Sequence, residues 1–245
     1  MKTNASFKNE ALSALRGNWG KAVLLTLLFV LLASAVSGTS VYQSLKMQSF
    51  MTENMSGTGS VRQVTAMLSN PEYLAMMRTA NGASAGTTLL QILILLPVAL
   101  GVTNAYRKLL VERDNNLVVN SFHIAFTNYW HKVGGMLLMT VLIFLWSLLF
   151  LIPGIIKAYS YSMTPYILEE NPELGLSEAI HRSRMMMRGH KFDLLWLQLS
   201  FIGWFLICLL TAGIGFLWLS PYYHTAHAAF YEEVKADYAL NGGLA

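Results

Sequence analysis

Two histidines of one apolar segment, His224 and His227, are spaced to share a helical face and so to bind a metal ion together. A zinc or iron site would require a third and often a fourth ligand, for which Tyr231 and Glu232 are the nearest residues in the sequence. The zinc-protease pattern H-E-x-x-H is absent. We therefore expect no metal and no cofactor, and two hydrogen-bonding histidines inside a helical bundle; a metal site is the alternative.

A lysine and several tyrosines could line a polar cavity together with these histidines. Lys157 is the one charged residue within an apolar segment, and such charges are functional candidates in membranes. It follows Pro153 and Gly154 closely, however, so its ammonium group can instead extend to the interface. The candidate cavity-lining residues are Lys157, Tyr159, Tyr161, Tyr223, His224 and His227.

The motifs of common enzyme classes are absent from the chain. It contains no G-x-S-x-G elbow, no phosphate-binding P-loop, no G-x-G-x-x-G fingerprint and no C-x-x-C pair. The single cysteine, Cys208, lies in an apolar run and excludes an internal disulfide. We therefore expect a protein that is not an enzyme and has no catalytic residue, while an enzyme that acts on lipid is the alternative.

These side chains must be positioned by segments that fold in lipid. Residues 194–231 contain no Asp, Glu, Lys or Arg, and Gly213 and Gly215 interrupt the run near its middle. A single helix of this length would measure about 57 Å, whereas the hydrocarbon core of a bilayer is about 30 Å thick. The run must therefore cross, turn at the glycines and cross back.

The composition agrees with a membrane protein. Hydrophobic residues make up 54% of the chain and charged residues only 12%, against about 25% in a soluble domain. The net charge of +4 does not indicate nucleic-acid binding, because no basic cluster is interleaved with aromatic residues away from the membrane flanks. The excess of Lys and Arg is instead typical of the cytoplasmic side of membrane proteins.

One arrangement of features occurs three times, in units 1–112, 119–170 and 176–233. Each unit has a short amphipathic segment, a lysine, an apolar hairpin and then a carboxylate. The sequence thus predicts an all-α, polytopic membrane domain with about six spans in three hairpins and an external loop insertion at 42–86. The spans are 22–41, 87–106, 134–152, 155–168, 193–212 and 214–231, with turns at Pro153–Gly154 and Gly213–Gly215.

The distribution of cations predicts the orientation. Three cations, Lys46, Arg62 and Arg78, fall on one side of the predicted spans, and Lys157 falls within a span. The other 13 fall on the opposite side, which should be cytoplasmic together with both termini. These 13 are Lys2, Lys8, Arg16, Lys21, Arg107, Lys108, Arg113, Lys132, Arg182, Arg184, Arg188, Lys191 and Lys235.

Amphipathic segments precede the three hairpins and are predicted to lie at the cytoplasmic interface. Segment 176–188 gathers Leu176, Ala179, Ile180, Met186 and Met187 on one face. Segment 119–131 is predicted to do the same with Phe122, Phe126, Tyr129 and Trp130, and segment 6–16 with Phe7, Ala11, Ala14 and Leu15. These helices either recruit anionic lipid or a partner, or only brace the hairpins. The candidate binding residues are Arg182, Arg184, Arg188 and Lys191.

The first span has a second interpretation. A basic lead, the apolar stretch 22–32 and the small residues Ala33, Ser34 and Ala35 together imitate a cleavable signal peptide. The stretch continues without charge through Val41, however, which suits a retained span of about 20 residues. We expect retention, because the threefold repeat also requires it.

The string LLFLIPGIIKAYSYSMTPYILEE (148–170) and the following NPELGLSEAIHRSRMMMRGHKFDLLWLQLSFIGW (171–204) resemble a family of bacterial integral membrane proteins of unknown function, domain of unknown function 975. The opening KNEALSALRGNWGKAVLLTLL and the closing TAGIGFLWLSPYYHTAHAAFYEEV resemble the same family. The likeness covers nearly the whole chain except 42–86, although Arg188 stands where the family pattern has lysine. It implies a bacterial cytoplasmic-membrane location and provides no catalytic residues.

Two functions follow as expectations. The first is a non-enzymatic scaffold or accessory protein that binds membrane lipid or a membrane or cytoplasmic protein partner through its basic interfacial helices. The second is a transporter or lipid-handling protein with an intramembrane cavity lined by tyrosine and histidine. Transporters usually use buried ionisable groups, and only Lys157 and the two histidines are candidates, so the first function is favoured.

Overall fold

The structure is a computed structural model, and it describes residues 2–54, 65, 68–71, 73–75, 77–78, 89 and 91–240. Within these residues the chain is helical and contains no strand, so the all-α prediction is confirmed. The helices are α1 (Asn4–Leu15), α2 (Trp19–Asn54), α3 (Leu96–Val111), α4 (Leu117–Phe126), α5 (Tyr129–Leu149), α6 (Leu151–Tyr161), α7 (Thr164–Glu170), α8 (Leu176–Met186), α9 (Lys191–Leu199), α10 (Ile202–Leu210) and α11 (Phe216–Leu240).

The chain divides into two compact units. The larger comprises Met1–Phe29 with Leu96–Ala245, and the smaller comprises Val30–Leu95. The first span was predicted to end at residue 41, before the external insertion 42–86, but α2 continues through Asn54. The physical reason is that residues 39–54 contain no glycine or proline to stop a helix. A π-helical turn, Gln91–Leu95, precedes α3; most of 55–90 lies outside the described residues.

Four segments of the described chain are long and apolar enough to cross a membrane. They are Trp19–Val36, Ile92–Val111, Tyr129–Leu149 and Lys191–Leu210. These correspond to the first, second, third and fifth of the predicted spans. The remaining two predicted spans, 155–168 and 214–231, do form helices, but each has a feature that sets it apart.

The fourth predicted span is divided into α6 and α7. The reversal after α5 occurs at Phe150, not at Pro153–Gly154 as predicted. Proline fits in the first turn of a helix, because the amide hydrogen that it lacks would have no partner there. Gly154 then allows α6 to pack against Ser147 of α5, where a Cβ would collide with the serine side chain. Pro165 lies at the start of α7.

The sixth predicted span, α11, lies within the protein. Its buried residues include Ala226, Ala228, Ala229, Phe230 and Val234, which belong to the hydrophobic core of the larger unit. A helix that is covered by other helices can carry polar residues without exposing them to lipid. This explains why α11 is less apolar than the four segments above. The predicted turn before it is confirmed, with Gly213 at φ +87°.

The threefold pattern in the sequence corresponds to three similar junctions. In each, a short helix ends, one residue adopts a left-handed conformation, and a longer apolar segment begins within two residues. The left-handed residues are Gly17 before α2, Asn128 before α5 and Gly189 before α9. Asn128 also shows why segment 119–131 is not one helix as predicted: α4 ends at Phe126, and α5 begins at Tyr129.

Each short helix packs against a different unit of the repeat. Helix α4 of the second unit packs on α3 of the first, and α8 of the third packs on α5 and α7 of the second. Helix α1 of the first unit packs on α11 of the third, so each unit contacts the other two. The faces predicted for α1 and α8 are confirmed as apolar and buried, apart from the partly exposed Leu176. They are covered by protein, as Phe7 of α1 shows by contacting Phe230 with ring centroids 5.6 Å apart. The short helices therefore each pack with their apolar face against longer helices of the protein.

Candidate functional site: a buried ion cluster

The largest group of interacting charges is centred on Arg107, near the end of α3. Its Nη1 atom donates to Oε1 of Glu170 at 2.7 Å and to Oε1 of Glu232 at 3.0 Å. The side chain is only 9% exposed, and those of Glu170 and Glu232 are 14% and 28% exposed. One guanidinium group thus joins the ends of α3 and α7 to α11.

Glu170, the last residue of α7, accepts three charge-assisted or strong hydrogen bonds. Besides Arg107, Lys235 Nζ donates to its Oε1 at 2.6 Å, and the Tyr231 hydroxyl donates to its Oε2 at 2.5 Å. Burial acts to raise the pKa of this carboxyl group, but the hydrogen bonds from Lys235 and Tyr231 and the charge of Arg107 outweigh it. The net result is a lowered pKa, so Glu170 is a carboxylate at neutral pH.

The cluster is electrically balanced. Two cations, Arg107 and Lys235, face two carboxylates, Glu170 and Glu232. Balance is required because an unpaired charge in a site of low dielectric constant costs several kcal/mol. Lys235 is the most accessible member, with a side chain that is 39% exposed. The cluster is therefore open to solvent on the Lys235 side and closed on the Arg107 side.

A second ion pair is more completely buried. Lys132, in the first turn of α5, pairs with Glu169 at 2.5 Å and donates to the carbonyl oxygen of Ile124 in α4. Its side chain is 2% exposed. The lysine and the closing acid of the second repeat unit therefore meet directly. In the first and third units, no ion pair between Lys21 and Glu112 or between Lys191 and Glu232 forms among the described residues.

A column of aromatic rings and imidazoles extends from the ion cluster along α11. Tyr231 stacks on Tyr166 with ring centroids 4.5 Å apart, and a hydrogen bond of 2.9 Å joins the Tyr166 hydroxyl to Nδ1 of His227. One turn away, His224 stacks on Tyr106 at 5.9 Å. His227 thus makes a hydrogen bond, and both histidines make the ring contacts expected inside a bundle. Among the residues that the structure describes, no group of three His, Cys, Asp or Glu could hold a metal ion.

The six predicted cavity residues fall into two groups. Tyr223 lies beside the histidines, with its ring 5.8 Å from that of His224 and 6.2 Å from that of His227. Tyr159 of α6 donates to Oε1 of Gln198 in α9 at 2.7 Å. The Tyr159–Gln198 hydrogen bond joins the second unit to the third, and the cavity predicted between these units stays a prediction.

Lys157 and Tyr161 form the other group. The Lys157 ammonium lies 4.4 Å from the ring centroid of Trp146 and 5.9 Å from that of Tyr161. A cation held against aromatic rings at the α5–α6 turn is an anchoring arrangement. The structure therefore separates Lys157 from the histidines with which it was grouped.

The predicted binding cations lie on and after α8. Arg184 and Arg188 are exposed, Lys191 is half-buried, and Arg182 reaches Oδ1 of Asn171 at 3.4 Å. Within the described chain, neither Arg184 nor Arg188 forms an ion pair with a carboxylate. They are followed in the chain by Phe192 and Trp196, which are 81% and 68% exposed.

Sequence reasoning missed the ion cluster. The acids 169–170 and 232–233 were recognised only as marks of a repeat, and Arg107 was counted only as a cytoplasmic cation. One signal was available. Arg107 lies near the end of an apolar segment of the first unit. The second and third units carry their closing acids at the corresponding place. The repeat therefore places a cation of the first unit near carboxylates of the other two.

Comparison with known proteins gives one family. No curated protein matches the chain, and no solved structure matches it. A family profile described as protein of unknown function (DUF975) matches residues 1–238, nearly the whole chain. The apolar segments and the repeated junctions described above fall within this match. The chain belongs to the DUF975 family.

Proposed function

We propose that this protein is a multi-pass protein of the bacterial cytoplasmic membrane, and that it is a non-enzymatic scaffold or accessory protein which binds anionic membrane lipid. The binding surface is the α8 surface, defined by Arg182, Arg184, Arg188 and Lys191. A cytoplasmic or membrane protein that carries acidic groups is the alternative partner of the same surface.

One observation carries the proposal. The apolar face of α8 is buried against protein, which directs its polar face outward, with Arg184 and Arg188 free of carboxylate partners among the described residues. Cations at this position attract the negative surface of the inner leaflet, at about 1 kcal/mol for each Lys or Arg. The exposed aromatic rings of Phe192 and Trp196 beside them are typical of the membrane–water interface.

The ion cluster supports a structural role over a catalytic one. Its charges neutralise one another and connect the ends of α3 and α7 to α11, which is a structural cross-link between helices. A general acid or base must come within hydrogen-bond distance of a substrate, whereas these side chains form hydrogen bonds to one another. Lys132 and Glu169 form a second cross-link of the same kind.

The membrane topology is part of the proposal. We propose six crossings in three hairpins, with both termini cytoplasmic; α6–α7 and α11 supply the fourth and sixth. The predicted crossings 155–168 and 214–231 would extend about 21 Å and about 27 Å as helices, so the shorter one draws on flanking residues to complete the crossing. Reporter fusions at residue 240 should be active on the cytoplasmic side, and fusions at residue 54 on the outer side. An external C-terminus would overturn the topology.

Lipid binding is tested by reversing the two exposed arginines. In Arg184→Glu/Arg188→Glu, the number of phosphatidylglycerol molecules retained in native mass spectrometry should fall, and affinity for this lipid should drop at least about tenfold. The matched control is Lys46→Glu/Arg78→Glu, which makes the same charge change at exposed cations of the smaller unit. Equal phosphatidylglycerol retention in both variants would reject lipid as the ligand of the α8 surface.

A transporter or lipid-handling protein is the second candidate. It is favoured by the polar column of Tyr166, Tyr223, His224 and His227, which ends at the ion cluster and could border a path for a polar solute. The discriminating variant replaces His224, His227 and Lys157 together. Loss of the cellular phenotype at normal expression would support this candidate, whereas retained function would support the scaffold.

A further inference from the structure

Helix α4 differs from the other two short helices in having two apolar faces. One face, with Leu117, Ile124 and Ala125, is buried against the protein. The opposite face exposes Val119, Phe122 and Phe126, which are 69%, 38% and 56% accessible. At 100° per residue these three side chains lie within an arc of about 60°.

The exposed face of α8 is polar, and that of α1 carries a single large apolar residue. Helix α8 exposes Glu178, His181 and Arg184, and α1 exposes Asn9 and Ser13 together with Leu12, which is 41% exposed. Helix α4 contains no Asp, Glu, Lys or Arg, and its exposed polar residue His123 lies at the edge of the apolar face, about 40° from Val119. Three helices that occupy equivalent places in the repeat therefore present different chemistry to their surroundings.

The orientation of α4 is fixed from the protein side. Gly101 of α3 has no side chain where the carbonyl oxygen of Ser121 approaches, and a Cβ there would also lie 3.1 Å from Cβ of Ala125. The ammonium group of Lys132 donates to the carbonyl oxygen of Ile124, in the last turn of α4. Because both contacts hold the buried face in place, the Val119–Phe122–Phe126 face cannot rotate away from the exterior.

This face is continuous with an apolar segment that could span a membrane. The ring of Phe126 stacks on Tyr129 at 6.2 Å, and Tyr129 contacts Trp130 edge-on at 5.1 Å. Trp130 is 77% exposed in the first turn of α5, whose outward residues further along include Phe144 and Leu148. Tryptophan and tyrosine at such a position mark the level of the lipid headgroups.

We infer that the Val119–Phe122–Phe126 face of α4 inserts into the acyl-chain region of the inner leaflet, while the polar face of α8 lies at the headgroups and contacts water. The occupant of the α4 face is bilayer lipid, because the face carries no charge and joins the exposed apolar surface of α5. The inference rests on the proposed membrane location. It adds that α4 lies deeper in the bilayer than α8.

Spin-label accessibility tests the inference in the full chain. Cysteine replaces Val119 or Phe126 in a Cys208→Ala background, and each is labelled with a nitroxide in phosphatidylethanolamine–phosphatidylglycerol bilayers. References are Leu206→Cys, in a candidate span and 60% exposed, and Arg184→Cys on α8. At 119, 126 and 206 the nitroxide should collide more often with oxygen than with a water-soluble nickel chelate. At 184 it should collide more often with the nickel chelate.

Three results would overturn the inference, and they differ. Nickel-dominated collisions at 119 and 126 with a lipid-like signal at 206 would place α4 in water while leaving the membrane location intact. Nickel-dominated collisions at 206 as well would reject the membrane location itself. Low collision rates with both reagents at 119 and 126 would show that protein, such as a second copy of the chain, covers the face. Gel filtration of each labelled variant confirms that it is folded before measurement.

Discussion

Arg107 and Glu170 are 63 positions apart in the chain, yet their side chains meet at 2.7 Å. This contact, with that to Glu232, ties the ends of α3 and α7 to α11 at one point. Each of the three helices comes from a different repeat unit. The junction therefore holds together three helices that are distant in the sequence, in addition to the apolar packing between them.

Removal of the central cation should weaken this junction strongly. Arg107→Gln leaves the buried carboxylates of Glu170 and Glu232 without their shared partner, which should cost about 3–5 kcal/mol. We expect a large decrease in the midpoint of thermal unfolding in detergent. The control is Lys21→Gln, which removes the same charge from an exposed side chain and should change stability by less than about 1 kcal/mol. Similar midpoints for both variants would contradict the cross-link.

The Tyr231 hydroxyl should contribute separately from its ring. In Tyr231→Phe the stacking on Tyr166 is kept, but the hydrogen bond to Glu170 is lost. A hydrogen bond to a charged group contributes about 1.5–3 kcal/mol, so the midpoint of unfolding should decrease by an intermediate amount. An unchanged midpoint would mean that Lys235 and Arg107 alone satisfy this carboxylate.

Stability should depend on pH through Glu170. Its pKa is lowered in the folded protein relative to the ordinary value of 4.5, so its contribution is complete above that value and is lost as pH falls through the folded pKa. We expect wild type to be more stable than Glu170→Gln at pH 7, and the difference between their unfolding midpoints to shrink below about pH 4.5. A difference that grows on acidification would have the wrong sign.

Lys132 and Glu169 should behave as one unit. Lys132→Met leaves a carboxylate unpaired, whereas Lys132→Met/Glu169→Gln removes both charges, so the double variant should lose less stability than the sum of the single variants. The coupling measured by unfolding should be about 1–3 kcal/mol. Additive single effects would show that the ammonium group is satisfied mainly by the Ile124 carbonyl.

The close approach of α3 and α4 should tolerate no side chain at position 101. Gly101→Ala places a methyl group against the Ser121 carbonyl oxygen, and such overpacking costs typically about 1–3 kcal/mol. The matched control is Gly203→Ala in α10, where a Cβ meets nothing within 4 Å. That control should be neutral or stabilising by up to about 1 kcal/mol, since alanine favours helix over glycine. Thermal unfolding of the two variants in the same detergent provides the comparison.

Local patterns in the sequence determined a large part of the architecture. Charge-free runs such as 194–231 predicted helices long enough for a membrane, and the spacing of Phe7, Ala11, Ala14 and Leu15 predicted which face of α1 is buried. The recurrence of a lysine after each short segment predicted three repeated units, and a residue with a left-handed conformation precedes each of these lysines, at Gly17, Asn128 and Gly189. Each of these features depends on about ten to twenty neighbouring residues, so it can be predicted from the local hydrophobic pattern.

Only the tertiary structure decided what covers each face and which charges meet. Periodicity shows that a face is apolar, but not whether protein or lipid lies against it. In segment 119–131 the aromatic residues Phe122, Phe126 and Trp130 are exposed, whereas Ile124 and Ala125 are buried against the protein. The partners of Arg107 are 63 and 125 positions away and belong to other repeat units. Such pairings depend on how separate helices pack, and because no local pattern records that packing, the sequence alone left the ion cluster unseen.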